Sequence, residues 1–89
     1  MKSFFVFMMF HVYILFSEKF QRFYIGQTNN LTDRLNRHNS GYERATAPYA
    51  PWKLILSIEK PNRSEAMVLE RKLKNLNKED LKKFIAKYS

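Results

Sequence analysis

Two short apolar runs near the start of the chain, residues 11–16 (HVYILF) and 23–25 (FYI), are separated only by the polar stretch SEKFQR. Runs this rich in β-branched and aromatic residues, with so brief a polar break, predict two antiparallel strands of a hairpin. Side chains alternate along a strand, so Val12, Ile14 and Phe16 share one face of the first and His11, Tyr13 and Leu15 the other. On the second, Tyr24 and Gly26 share a face, with Phe23 and Ile25 opposite. Whether Tyr13 and Tyr24 end on the same side depends on the hairpin register, which the sequence leaves open.

The next segment, NNLTDRLNRHNSG, predicts a helix with Asn29 or Asn30 as its N-cap and Gly41 as its stop. Leu31, Arg34, Leu35 and His38 recur at helical spacing and form its inward stripe. Asp33 and Arg37, four apart, are expected to pair on an exposed face. Residues 42–51 (YERATAPYAP) read as a loop because Pro48 and Pro51 oppose regular structure. A third strand follows in WKLILSIEK, with Leu54, Leu56 and Ile58 on one face and Pro61 as its end. Beyond it, Asn62 or Ser64 caps a helix that buries Ala66, Leu69, Leu73 and Leu76. A last helix turns Leu81, Phe84 and Ile85 inward. The order β-β-α-β-α-α predicts an α+β fold, a three-stranded antiparallel sheet flanked by helices.

With 89 residues there is room for one small domain, and a hydrophobic share of 45% suits a folded globule. Sixteen Lys and Arg against eight Asp and Glu give a formal charge of +8. That excess favours a polyanionic partner, nucleic acid ahead of an anionic membrane surface. The absence of cysteine excludes disulfides and thiolate zinc sites, and is compatible with a reducing, cytoplasmic setting. The apolar opening MKSFFVFM is too short to span a bilayer even when joined to the first strand, which takes roughly 20 residues. No small-x-small cleavage pattern follows it. Residues 1–8 are therefore expected to be a dispensable extension, with translation starting at Met8 or Met9, and residues 9–89 to form the domain.

Arg34 is the main anomaly, because an arginine on an inward stripe must meet an anion. An internal salt bridge would satisfy it, and so would a phosphate, which a guanidinium grips with two parallel hydrogen bonds. Glu70 and Glu65 lie at opposite margins of the apolar stripe of the second helix, and the helical wheel does not choose between them as a Mg²⁺ ligand. His38 reads as a helix-end hydrogen bonder rather than a metal ligand. HExxH, P-loop and dinucleotide-binding patterns are missing, which removes support for metalloprotease, NTPase and Rossmann functions.

Four segments, VYILFS, FYIGQT, LTDRLNRHNSG and AMVLERKLK, in this order and spacing, resemble the GIY-YIG nuclease family. The likeness runs from Val12 to about Leu76. It is strongest to small stand-alone members similar to the catalytic module of the bacterial excision-repair incision subunit. The resemblance implies that Tyr13 and Tyr24 are the two motif tyrosines, Gly26 the motif glycine, Arg34 the first-helix arginine and Glu70 the metal-binding glutamate. It implies hydrolysis of a phosphodiester with one divalent ion, Mg²⁺ or Mn²⁺, on DNA in preference to RNA, in repair or recombination. Gly26, Arg37, His38, Lys72 and Lys74 are then expected to contact substrate. Tyr13 would accept the proton of the attacking water, its phenol lowered from a pKa near 10 by the metal or Arg34. Tyr24 would position a phosphate or water. His11 stands where the family has its first motif glycine, and Asn75 and Asn77 are both candidates for a late motif asparagine. Two alternatives remain: an inactive nucleic-acid-binding module of the same fold, and a peripheral membrane protein held by FFVFMMF and lysines. A catalytic role makes a geometric demand. The tyrosines must share one sheet face, Arg34 must reach over that face, and Glu70 must approach from the second long helix, so that the four heads line one common cleft with room for one metal and one phosphate.

Overall fold

A computed structural model describes residues 9–89. The expectation for residues 1–8 lies outside the described residues. Strands β1 (Phe10–Ser17), β2 (Arg22–Thr28) and β3 (Lys53–Lys60) form one antiparallel sheet in the order β2-β1-β3, so β1 is central and β2 an edge. Helices α1 (Leu31–Ser40), α2 (Arg63–Lys74) and α3 (Lys78–Tyr88) complete the expected element order. Among these residues no helix is long and apolar enough to cross a membrane.

Each helix starts at an asparagine whose side chain accepts the backbone N–H three residues on. Asn30 takes that of Asp33 at 3.1 Å, Asn62 that of Glu65 at 2.9 Å and Asn77 that of Asp80 at 2.8 Å. Gly41 ends α1 in the left-handed region, φ 89°, where a side chain would strain the backbone.

The sheet separates two clusters. On one face Val12, Ile14 and Ile25 meet Ala66 and Leu73 of α2 and Leu81 of α3. On the other, Tyr13, Leu15 and Trp52 pack with Tyr24 and with Leu31 and Leu35 of α1. The β3 stripe departs from strict alternation. Ile14 pairs with Leu56 but Leu15 with Leu54, so Ile55 is an extra, bulged residue. Leu54 therefore leaves the face of Leu56 and Ile58 and stands exposed. Residues 42–51 are also more ordered than their prolines suggest. They hold a short 3-10 turn, Ala47–Tyr49, and a buried Thr46. Asn39 of α1 clamps the end of this loop, accepting from the Trp52 N–H at 2.6 Å and donating to its carbonyl at 3.0 Å.

Candidate active site at the edge of strand β2

The hairpin register answers the question left open by the sequence. Tyr13 pairs with Gly26 and Leu15 with Tyr24, so both phenols point to the α1 face. Their ring centroids are 6.3 Å apart. Gly26 is buried beneath them, and a Cβ there would stand 2.5 Å from Tyr13 Oη and 3.1 Å from Tyr24 Cε2. The missing side chain is what lets two large rings lie side by side on adjacent strands.

Tyr13 is 1% exposed, and its hydroxyl lies 2.9 Å from Nε2 of His38, itself 1% exposed. Nδ1 of His38 is 2.7 Å from Thr46 Oγ1, and Thr46 gives its one hydroxyl hydrogen to the Glu43 carbonyl. With that hydrogen committed, Thr46 accepts from Nδ1–H, and Nε2 is left bare to accept from the Tyr13 O–H. Burial lowers the His38 pKa below its ordinary 6.5, which keeps the ring neutral and basic at Nε2. Burial also pushes the Tyr13 phenol up to about 12, with Tyr24 adding to the rise and Arg34 opposing it. Arg34 pulls the phenol downward, as expected of it, but in the protein without a cation desolvation outweighs that pull. Half-buried Arg34 thus stands over the tyrosine face, and none of the ion pairs among the described residues engages it.

Glu70 is placed differently. It is carried by α2 on the opposite face of the sheet and meets β2 through Gln27, whose Nε2 donates to Glu70 Oε1 at 3.0 Å. Lys74 pairs with Oε2 at 2.9 Å, and the Glu70 side chain is 19% exposed. Because Gln27 follows Gly26 on the edge strand, the four expected residues do not share one face. Tyr13, Tyr24 and Arg34 lie on one side of β2 and Glu70 on the other, so a site using all four must wrap around that edge. Glu65 is exposed at the α2 N-terminus, where its backbone N–H donates to the capping Asn62 and its carboxylate accepts from Asn62 Nδ2 at 3.4 Å. Of the two late asparagines, Asn77 caps α3 while Asn75 lines the groove beside Glu70. That groove, about 380 Å³, also exposes Arg63, Arg71 and Lys74.

The expected substrate-contacting residues divide. Lys74 lies in the Glu70 groove, but Lys72 faces the other flank of α2 with Lys60 and Glu65. Lys72 is two residues, more than half a turn, away from Glu70, which takes it out of the site. Arg37 pairs with Glu43 at 2.9 Å rather than with Asp33, because the loop after α1 folds back over it. Both ring nitrogens of His38 are engaged, by Tyr13 and Thr46, so it has none to offer substrate and supports the phenol instead. Sequence reasoning missed Thr46, which carries no local signal, and Gln27, whose one signal was its place directly after the motif glycine.

The residues at the β2 edge suit a hard divalent cation. A single half-buried carboxylate opens on a groove, and beside it Gln27 Oε1 is a buried oxygen without a hydrogen-bond partner. Mg²⁺ is commonly held by one or two carboxylates with water and phosphate.

A family model described as the GIY-YIG catalytic domain matches residues 9–84. The chain belongs to the GIY-YIG family. Among solved structures, this GIY-YIG domain is similar to a UPF0213 protein of Bacillus halodurans determined by solution NMR. The two share 28% identity over 89% of this chain and 84% of that one, with a TM-score of 0.59. No curated protein matches it. Membership places the chain among nucleases and implies a nucleic-acid substrate.

Proposed function

We propose that this domain is a metal-dependent endonuclease hydrolysing phosphodiester bonds in DNA, in cytoplasmic repair or recombination. The observation that carries this reading is the Tyr13–His38–Thr46 chain beside an arginine without an ion-pair partner among the described residues. A phenol with a pKa near 12 is a poor base as phenolate, since almost none exists at neutral pH. Hydrogen-bonded to a neutral imidazole, it acts as a relay. Tyr13 Oη takes the proton of the attacking water as its own proton passes to His38 Nε2, and Thr46 holds the ring in the required tautomer. The water oxygen bonds to phosphorus, the opposite P–O bond breaks, and the departing alkoxide oxygen takes a proton from solvent. Arg34 offsets the charge that grows on the phosphate oxygens, and Tyr24 orients the phosphate. Glu70 would hold a divalent cation, which would supply further positive charge to offset that on the phosphate and leaving oxygen. Arg37 and Lys74 contact flanking phosphates, and Gly26 allows the backbone close approach.

The test is incubation with branched, nicked and linear DNA, with and without Mg²⁺ or Mn²⁺. Nicking that requires metal is expected, lost in Glu70→Ala with folding and DNA affinity retained, and kept in Glu65→Ala. The opposite pattern would move the metal to the other margin of α2. Binding without cleavage under every metal would replace this reading with the inactive binding module.

Affinity for duplex DNA should also fall steeply with salt. Lys74, Lys78, Lys82, Lys83 and Lys87 crowd the last third of the chain. A footprint of about five phosphates gives a log–log slope of roughly −4 to −5. A slope near zero in a salt titration would exclude backbone contact as the source of affinity.

A further inference from the structure

Among the described residues no group of three His, Cys, Asp or Glu side chains gathers to hold a metal ion, and Glu70 brings only one carboxylate to the β2 edge. Gln27 stands beside it with an unexplained oxygen. Its amide is held amine-first by the carboxylate, and the buried Oε1 left over has no partner. A buried polar atom in that condition calls for a reason.

We propose that Gln27 is a second protein ligand of the divalent cation: its amide oxygen and Glu70 form a two-oxygen seat, which the Lys74 ammonium closes when no cation is bound. This rests on the reading of the chain as a metal-dependent nuclease. The spacing supports it. An octahedral Mg²⁺ holds its oxygens at about 2.0–2.1 Å, so neighbouring ligand atoms stand about 2.8–3.0 Å apart. Gln27 Nε2 and Glu70 Oε1 are separated by 3.0 Å. Turning the amide over about its terminal bond exchanges nitrogen for oxygen and gives two ligand oxygens at that separation. A cation at the carboxylate favours this turn, since it repels the amine and attracts the carbonyl.

Lys74 follows the same logic. Its Nζ is 2.9 Å from Glu70 Oε2, so both carboxylate oxygens are engaged and an entering cation must displace the ammonium. Arg63 and Arg71 line the same groove and add repulsion. Cation affinity is therefore weak in the free protein and rises when phosphates neutralise these side chains.

The experiment is titration with Mn²⁺ alone, free ion being counted by electron paramagnetic resonance, on the full chain and four variants. Melting in chelator first shows that each variant is folded. Glu70→Gln is expected to lose binding, and Gln27→Leu to weaken it roughly tenfold or more, the scale on which groups around a metal are felt. Gln27→Glu should bind more tightly than the parent, and Lys74→Met should tighten binding several-fold. If Gln27→Leu binds Mn²⁺ as the parent does while Glu70→Gln does not, the Gln27 ligand is overturned and the nuclease reading stands. If Gln27→Glu is as weak as Gln27→Leu, Gln27 acts by packing alone and the inference fails. If Lys74→Met leaves affinity unchanged, the closing role of Lys74 fails. A parent that binds no Mn²⁺ even with an uncleavable phosphorothioate DNA overturns both the seat and the metal-dependent nuclease.

Discussion

Tyr13→Phe should cut DNA roughly 10²–10⁴-fold more slowly than the parent, the usual worth of a positioned proton-transfer group. The ring remains, so the packing over Gly26 survives. What is lost is the hydroxyl, and with it the 2.9 Å link to His38. Stability should fall by about 1–3 kcal/mol, because Nε2 of a fully buried imidazole is left without a partner. The pH profile separates the relay from a simple structural role. Neutral His38 accepts the proton, and burial holds its pKa below 6.5, so cleavage should be level through neutral pH and decline on the acid side of 6.5. Stability follows the same sign. On acidification the unfolded chain binds this proton first, so the contribution of His38 is complete above 6.5. It is lost as pH falls from 6.5 through the folded-state value. Tyr13 gives the mirror case. Its folded pKa is raised from 10.0 to about 12, so its contribution holds below pH 10 and is lost as pH rises through about 12. Melting temperatures across pH should show both slopes in the parent and lose the alkaline one in Tyr13→Phe. A parent whose cleavage rate keeps rising as pH falls below 6 would rule out neutral His38 as the acceptor.

How far the sequence reaches is visible in these same residues. The alternation of HVYILF placed Tyr13 and Leu15 on one face because a strand has a period of two and no neighbour can change that. The caps of the first two helices were legible, each to within two candidates, because a helix N-terminus needs a short side-chain acceptor, whereas Asn77, read only as a candidate motif residue, emerges as the cap of α3. Register was not legible. It is a relation between two strands, and each strand alone is consistent with either pairing. Ile55 shows the same limit, since a bulge appears only when β3 is laid against β1. The site divides along this line. Arg34 was conspicuous as a charge on an inward stripe. Thr46, in a loop that reads as irregular, acquires its role only when α1 brings His38 to it.

Glu70 illustrates a second limit. The helical wheel left it level with Glu65, and only the packing of α2 against β2 separates them: one meets Gln27, the other stays exposed beside the Asn62 cap. The wheel also could not say that α2 covers the face opposite the tyrosines. This arrangement gives the edge strand a special place. β2 carries Tyr24 toward one side of the sheet and Gln27, with its Glu70 partner, toward the other. A phosphate seated across that edge would be met by Tyr24 and Arg34 from one side and by Glu70 from the other.

Gly26→Ala should damage stability and cleavage together, more than its single methyl suggests. The new Cβ would stand 2.5 Å from Tyr13 Oη, 2.7 Å from Cζ and 3.1 Å from Tyr24 Cε2. None of these neighbours yields cheaply. Tyr13 is 1% exposed and tied to His38, whose other nitrogen is tied to Thr46, so shifting the ring breaks the hydrogen-bond chain. Tyr24 is wedged against His38, their centroids 4.8 Å apart, and against Trp52 at 6.2 Å. Overpacking of this kind costs about 1–3 kcal/mol. In a domain of this size each kcal/mol lowers the melting temperature by about 4–8 °C. Cleavage should fall as far as in Tyr13→Phe, since the phenol can no longer meet Nε2. The two substitutions should also couple. Removing Oη takes away the closest of the three contacts, so alanine at 26 should cost less in a Tyr13→Phe background than in the parent, and a double-mutant cycle measures that difference. Strict additivity, or a Gly26→Ala protein with parental melting and cleavage, would mean that the two rings do not depend on the open space at Gly26, and the relay geometry would have to be abandoned.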